Sequence, residues 1–340
     1  MGRNQPAMGT GSITAAAPIS ELAWRKSPAG PDQTGVDGRE VTAMPQAAGT
    51  INGAAATVGA VIGPRLSAAG GVVITGVDVS QPLPPASKER ILAAFLDNQF
   101  VVFRGQSLTR EQQFAFSSCF GEVEPHRGPA AAGKRYGVAH VISNLGADGQ
   151  PVDRSSSPVS NYHWHTDKSY YAVPPMLTTL YAIEMPSAGG DTEFANTAAG
   201  YAALPPATRR RIAGLRVVFR WGAAFGEAGG GAAAQATMRE RPPVDHPLVR
   251  THPDTGAKAL YLGNHASHIQ GLPEAEGRAL LAELLGHATQ PRFVYRHRWR
   301  AGDLVMWDNR CLLHRAVANY EMGRERRILH RTVVKGTVPV

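Results

Sequence analysis

Between residues 70 and 121 the hydrophobic positions change period twice. "GGVVITGVDV" and "QFVVFRG" are short β-branched runs bounded by glycine, as strands are. Between them, Ser87 to Asn98 places Ile91, Leu92 and Phe95 on one helical face. "TREQQFAFSSCFG" then opens with Thr109 and Gln112, spaced as a capping box, and closes on Gly121, which is available as a left-handed C-cap. Short apolar runs dominate thereafter. Strands are expected over 138–143, 176–184, 215–220, 247–252, 258–263, 292–299, 303–307, 311–317 and 327–335. One long helix is expected over 273–287, with Leu280, Leu281, Leu284 and Leu285 as its apolar stripe. Many short strands with few helices predict a mostly β fold with flanking helices, a sandwich or jelly roll. No glycine-rich phosphate loop follows a strand, which argues against a nucleotide-binding α/β sheet. There is no internal repeat.

Residues 1–52 break this pattern. They are rich in Ala, Gly, Pro, Thr and Ser without periodic apolar positions, and read as a flexible extension preceding a single domain over 53–340. "ITAAAPIS" is short and interrupted by proline, a poor match to the apolar run of a secretory signal. With 43% hydrophobic and 18% charged residues, the rest of the 340-residue chain suffices for a sizeable core. No run of about 18 apolar residues exists to span a membrane. Two cysteines, Cys119 and Cys311, make no disulfide framework, and the expected location is cytoplasmic. The net charge of +8 suits nucleic acid and small anions equally, so it decides nothing alone.

The chemistry concentrates in "NYHWHTDKSYY", residues 161–171. On a strand, i and i+2 share a face, so the His165 imidazole and the Asp167 carboxylate would project together, and His163 shares their parity. Two His and one carboxylate on one face of a metal make a non-haem ferrous site. His-x-Asp alone is a weak signal. "THPDTGAK" repeats the spacing with His252 and Asp254, but its Pro, Asp, Thr and Gly spell a turn between two strands. A third ligand is therefore needed. His314, in "GDLVMWDNRCLLHRA", sits among apolar neighbours, either as a ligand or as a hydrogen-bonded core histidine. In "RERRILHRTVVKG" the even spacing of Arg327 and Arg331 aims both at one strand face, where they either grip anions or face solvent.

The sequence also admits other classes. "RFVYRHRWR" interleaves basic and aromatic side chains as nucleic-acid-binding strands do. Its alternation nevertheless places Phe293, Tyr295, His297 and Trp299 on one face and Arg296, Arg298 and Arg300 on the other, an ordinary half-buried strand. "RRR" at 209–211 reads as a solvated helical face. A non-catalytic cupin-like binding protein and a hydrolytic zinc enzyme are further readings, the latter without an HExxH signature.

Seven stretches, in order, resemble the Fe(II)/2-oxoglutarate dioxygenases of the taurine dioxygenase and chlorophenoxyacetate dioxygenase family. They are "VVFRGQSLTREQQ", "FGEVEPH", "WHTDKSY", "PSAGGDTEFAN", "HPLVRTHPDTG", "GDLVMWDNRCLLHRA" and "RRILHRT". The resemblance implies a double-stranded β-helix (jelly roll, cupin-like) over about residues 57–340. It implies Fe(II) held by His165, Asp167 and His314, and 2-oxoglutarate held by Arg327 and Thr192. Dioxygen would be consumed, succinate and CO2 released, and ascorbate would assist. The substrate would be a small anionic organic molecule such as an aryloxyalkanoate, another carboxylate or a sulfonate, hydroxylated and in some cases thereby cleaved. Its anion would meet Asn161 and Arg331, and also His126 as in the taurine-type, desulfonating branch. The enzyme is expected to be a homo-oligomer with neither nucleic-acid nor membrane partners. Two features depart from the family. Lys168 follows the expected metal carboxylate, where relatives carry small neutral residues, and is a candidate substrate contact. The Gly/Ala-rich stretch 222–243 reads as a mobile lid or a plain insertion.

Overall fold

The structure, a computed structural model, describes residues 59–124, 139–153, 160–223 and 241–340. The extension expected over 1–52 therefore lies outside the described residues, as do His126 and most of the 222–243 stretch. Five α-helices are described: α1 Pro85–Asn98, α2 Arg110–Ser118, α3 Thr197–Ala202, α4 Pro206–Ile212 and α5 Glu274–Ala288. The fifteen strands are β1 Val61–Ser67, β2 Gly70–Thr75, β3 Phe100–Phe103, β4 His140–Ser143, β5 Leu177–Glu184, β6 Thr192–Asn196, β7 Arg216–Phe219, β8 Val244–Pro247, β9 Val249–Thr251, β10 Lys258–Leu260, β11 Ala266–Ile269, β12 Val294–His297, β13 Leu304–Asp308, β14 Leu312–Ala316 and β15 Ile328–Val334. None of the described helices is long and apolar enough to cross a membrane.

A seven-stranded sheet, ordered β1-β2-β3-β13-β5-β15-β4, packs against a three-stranded sheet ordered β12-β6-β14. β3 is apolar and buried at every position because both of its faces are covered. Phe100 and Val102 of β3, with Val305 and Trp307 of β13, turn inward and meet Phe194 and Leu312 of the small sheet. Val101, Phe103, Leu304 and Met306 alternate to the other face and meet Ile91, Ala94 and Phe95 of α1 and Phe116 of α2. The Phe100 and Phe194 rings stack across the gap at 5.1 Å. Each such fully buried side chain contributes roughly 1.5–3 kcal/mol. A third core lies under α5, whose Leu280, Leu281 and Leu284 join it and which packs against β11 and α3. This is the expected jelly roll.

Several expectations shift in detail. The capping box of Thr109 and Gln112 forms at α2. Gly121, however, does not cap that helix, because Cys119 does so in the right-handed conformation. Gly121 adopts φ 152°, and a Cβ there would lie 2.8 Å from Val334 Cγ1, so close approach is what requires the glycine. The strand expected over 247–252 divides at Leu248 into β8 and β9, because the chain changes partners there and joins two different sheets. The strand expected over 292–299 begins with a 3-10 turn at Pro291–Phe293, and its alternation holds: Phe293, His297 and Trp299 are buried while Arg296, Arg298 and Arg300 are exposed. Strands β1, β6 and β11 carried no periodic signal of their own. β6 is only five residues long, and all five are buried.

Candidate functional site

The two histidines are brought together by main chain. His165 and His314 form an isolated antiparallel bridge, with His165 N donating to His314 O at 3.0 Å and His314 N donating to His165 O at 2.7 Å. Their rings stand 4.2 Å apart. "HTD" is thus not a strand. A single bridge residue leads into a turn over 167–170, and the turn delivers Asp167 to the pair. His165, Asp167 and His314 each place one ligand atom within 4.8 Å of the others, and all three are buried. His163 contributes its backbone instead of its ring: its carbonyl accepts from His165 Nδ1 at 2.8 Å, which leaves the His165 Nε2 lone pair free.

Electrostatics suit these groups to a cation. Burial lowers the pKa of His165, and burial pushes that of His314 down to about 3, so both imidazoles are neutral. Burial alone would raise the Asp167 carboxyl, but the Arg331 guanidinium and the two histidines outweigh it and hold the group well below the usual carboxylate range. Arg331 Nη1 donates to Asp167 Oδ1 at 3.0 Å, and Thr178 Oγ1 donates to Asp167 Oδ2 at 2.6 Å. Two neutral nitrogen ligands and one carboxylate form the donor set of a ferrous ion with open positions.

The same cavity that His165 and His314 line is also lined by Asn161, Thr192, Arg327 and Arg331, with Leu180 and Trp307 among its apolar walls. Arg327 is 8% exposed. Its backbone N–H donates to Asn144 Oδ1 at 2.8 Å, while Asn144 Nδ2 donates to the carbonyls of Met322 and Glu325, pinning the approach to β15. Its Nε donates to Gly190 O at 2.8 Å, which leaves the terminal guanidinium nitrogens for a carboxylate. Gly190 has φ +68°, and a Cβ there would stand 3.2 Å from Arg327 Cδ and 2.9 Å from Pro186 Cγ, so the second glycine of "GGD" keeps room for this arginine. Thr192 Oγ1 accepts from the Trp299 indole at 2.9 Å, so its own proton is free to be donated.

Two sequence-derived residues sit differently from the rest. Lys168 is absent from the cavity lining. Its ammonium pairs with Glu124 and lies 5.7 Å from the Tyr171 ring, and its backbone takes φ 50°. Arg331 lines the cavity, but it is already engaged with Asp167 and with His140 Nδ1, which accepts from Nη2 at 3.3 Å. Asn144, His140, Thr178 and Asn309 had no signal as site residues. Each acts across more than a few residues of chain, and of the four only Asn309 lies in a stretch that resembles the family, "GDLVMWDNRCLLHRA".

A second histidine–carboxylate cluster, His252, Asp308 and Cys311, has ligand atoms equally close together. Its hydrogen bonds exclude a metal. His252 Nδ1 accepts from the backbone N–H groups of Asp254 and Thr255, each at 3.2 Å, so the proton of the neutral ring sits on Nε2, which donates to Asp308 Oδ2 at 2.9 Å. Arg310 fills the remaining Asp308 positions. The hairpin-tip expectation for His252 holds, with a buried side chain. His252→Ala is expected to cost about 1–3 kcal/mol in urea unfolding while leaving the Kd for Mn(II) unchanged.

The family model for taurine catabolism dioxygenase TauD, TfdA family, matches residues 61–333. The alpha-ketoglutarate-dependent 2,4-dichlorophenoxyacetate dioxygenase of Cupriavidus pinatubonensis is 39% identical over 275 residues, covering 78% of this chain and 94% of the relative. The alpha-ketoglutarate-dependent sulfate ester dioxygenase of Pseudomonas putida is 35% identical over 279 residues, covering 79% and 88%. Among solved structures, AAD-2 in complex with Mn(II) and N-oxalylglycine superposes with a TM-score of 0.73 at 35% identity, covering 82% of this chain and 98% of that one.

Proposed function

Since this chain belongs to the TauD/TfdA family of 2-oxoglutarate (alpha-ketoglutarate)-dependent dioxygenases, we propose that it oxidises a small anionic organic substrate of the aryloxyalkanoate class at the cavity between the two sheets. One observation carries the reading. The two histidines of a buried His–Asp–His cluster line the same apolar-walled cavity as an arginine with free terminal nitrogens and a threonine with a free hydroxyl proton. His165, Asp167 and His314 would hold Fe(II). Arg327 and Thr192 would hold the far carboxylate of 2-oxoglutarate.

When bound, iron and 2-oxoglutarate supply oxidation of a C–H bond by dioxygen, with release of succinate and CO2. The chain's own residues position and shield. The apolar walls at Leu180 and Trp307 would strengthen the pairing of Arg327 with a bound anion. Asn161 and Arg331, which line the cavity, would meet the substrate's anionic group. The identity to the dichlorophenoxyacetate enzymes, 39–40%, favours aryloxyalkanoates over the sulfate esters named for a 35% relative.

The test is dioxygen uptake with Fe(II), 2-oxoglutarate and ascorbate against aryloxyacetates, alkyl sulfonates, alkyl sulfates and amino acids. Aryloxyacetates are expected to stimulate uptake several-fold, with one succinate per dioxygen. Stimulation by sulfonates or sulfates alone would overturn the substrate class and leave the reaction class standing.

A further inference from the structure

Asp167 Oδ2 ends a chain of buried hydrogen bonds whose direction is dictated by donor chemistry. The chain begins at Trp307, 1% exposed, whose indole nitrogen donates only. Trp307 Nε1 stands 3.1 Å from Asn309 Oδ1, so that atom of the Asn309 amide is the oxygen. The amide nitrogen then faces Thr178 Oγ1 at 2.9 Å and donates to it. With that bond accepted, the single Thr178 proton goes to Asp167 Oδ2 at 2.6 Å. Asp167 accepts there, as its other oxygen accepts from Arg331 Nη1. No link can reverse without leaving two donors or two acceptors facing each other in a dry interior.

Asn309 also anchors the segment that carries Asp167. Its backbone carbonyl accepts from Thr166 Oγ1 at 2.7 Å, and its Oδ1 lies 3.4 Å from the Asp167 N–H. Oδ1 of Asp167 is held from the other side by Arg331. The carboxylate is therefore gripped by β5 through Thr178 and by β15 through Arg331. These two neighbouring strands fix its plane, although its own backbone is only a turn.

We propose that Thr178 and Asn309 are positioning residues for the metal. Through the chain Trp307–Asn309–Thr178–Asp167 they lock the carboxylate in its ligand orientation. This rests on the assignment of Asp167 as a ligand. The test is the Kd for Mn(II), from electron paramagnetic resonance of the free ion, on the full chain with its melting temperature recorded alongside.

Thr178→Val, which keeps shape and β-branching but removes the hydroxyl, is expected to raise the Kd about 10- to 100-fold, the usual effect of losing a partner of a metal ligand. Thr178→Ser keeps the donor and is expected to stay within about 3-fold of the parent, the small remainder reflecting lost packing alone. Asn309→Ala should weaken Mn(II) in the same direction. Because Asn309 reaches the carboxylate oxygen through Thr178, the double variant should cost less than the sum of the two single changes.

A Kd unmoved by Thr178→Val, an equal loss in Thr178→Ser, or strict additivity of the two changes would each overturn the chain. If the valine variant does not fold, the serine and Asn309→Ala arms decide by the same criteria. Asp167→Ala separates this proposal from the one beneath it. If that change leaves Mn(II) affinity intact the ligand assignment fails, whereas a loss there with none in Thr178→Val refutes the chain only.

Discussion

Asp167→Ala and His314→Ala are each expected to lower Mn(II) or Fe(II) affinity by more than about 100-fold, beyond the 10- to 100-fold that a supporting residue costs, and to abolish substrate-dependent dioxygen uptake. The cluster offers one atom from each of three side chains, so losing one leaves a cation two protein ligands in a buried site. The fold should survive both changes, because the bridge joining residues 165 and 314 is made by main chain and persists without the imidazole. The two variants should differ in one respect. Asp167→Ala also strips Arg331 of its carboxylate partner, so it should alter anion binding by the metal-free protein, whereas His314→Ala should not. Metal titration followed by isothermal binding of an aryloxyacetate measures both. Retained metal in His314→Ala together with loss in His252→Ala would reverse the ligand assignment.

Arg327→Ala is expected to raise the KM for 2-oxoglutarate by at least about 30-fold while leaving the metal Kd unchanged. Truncating one partner of a buried, hydrogen-bonded charge pair costs roughly 2–5 kcal/mol, and 2 kcal/mol corresponds to that factor. Arg327→Lys should not restore it. An ammonium offers no fork to a carboxylate and cannot reproduce the Nε donation to Gly190 O. Gly190→Ala should act in the same direction without touching the arginine, because its Cβ would press on Arg327 and its backbone would be held at φ +68°. Binding of N-oxalylglycine to the Mn(II)-loaded protein reads all three variants without turnover. Unchanged binding in Arg327→Ala would remove this residue from the cosubstrate site.

Arg331 needs a more careful substitution than the pattern of even spacing suggested. Its guanidinium serves the Asp167 carboxylate and His140 as well as facing the cavity. Loss of activity in Arg331→Ala would therefore combine metal and substrate effects, and only a variant that keeps metal affinity reports on the substrate anion.

Local periodicity was sufficient wherever neighbours in sequence are neighbours in space. The capping box at Thr109 and Gln112, the leucine stripe of α5 and the two-sided strand around His297 were all legible, because 3.6- and 2-residue periods are properties of backbone geometry. Motif order along the chain likewise nominated His165, Asp167, His314, Thr192 and Arg327 as candidates, and the structure draws them together. What held these residues in place was not legible. The His165–His314 bridge, the grip of Thr178 and Arg331 on Asp167, and the Asn144 staple on Arg327 join positions 11 to 183 residues apart. The donors and acceptors involved are common residue types whose partners are chosen only when the sheets close. Sequence alone thus determined the β architecture and the chemical inventory of the site. Tertiary structure decided its geometry, because buried polar groups must find partners and, in a jelly roll, the nearest partners lie on strands far away along the chain.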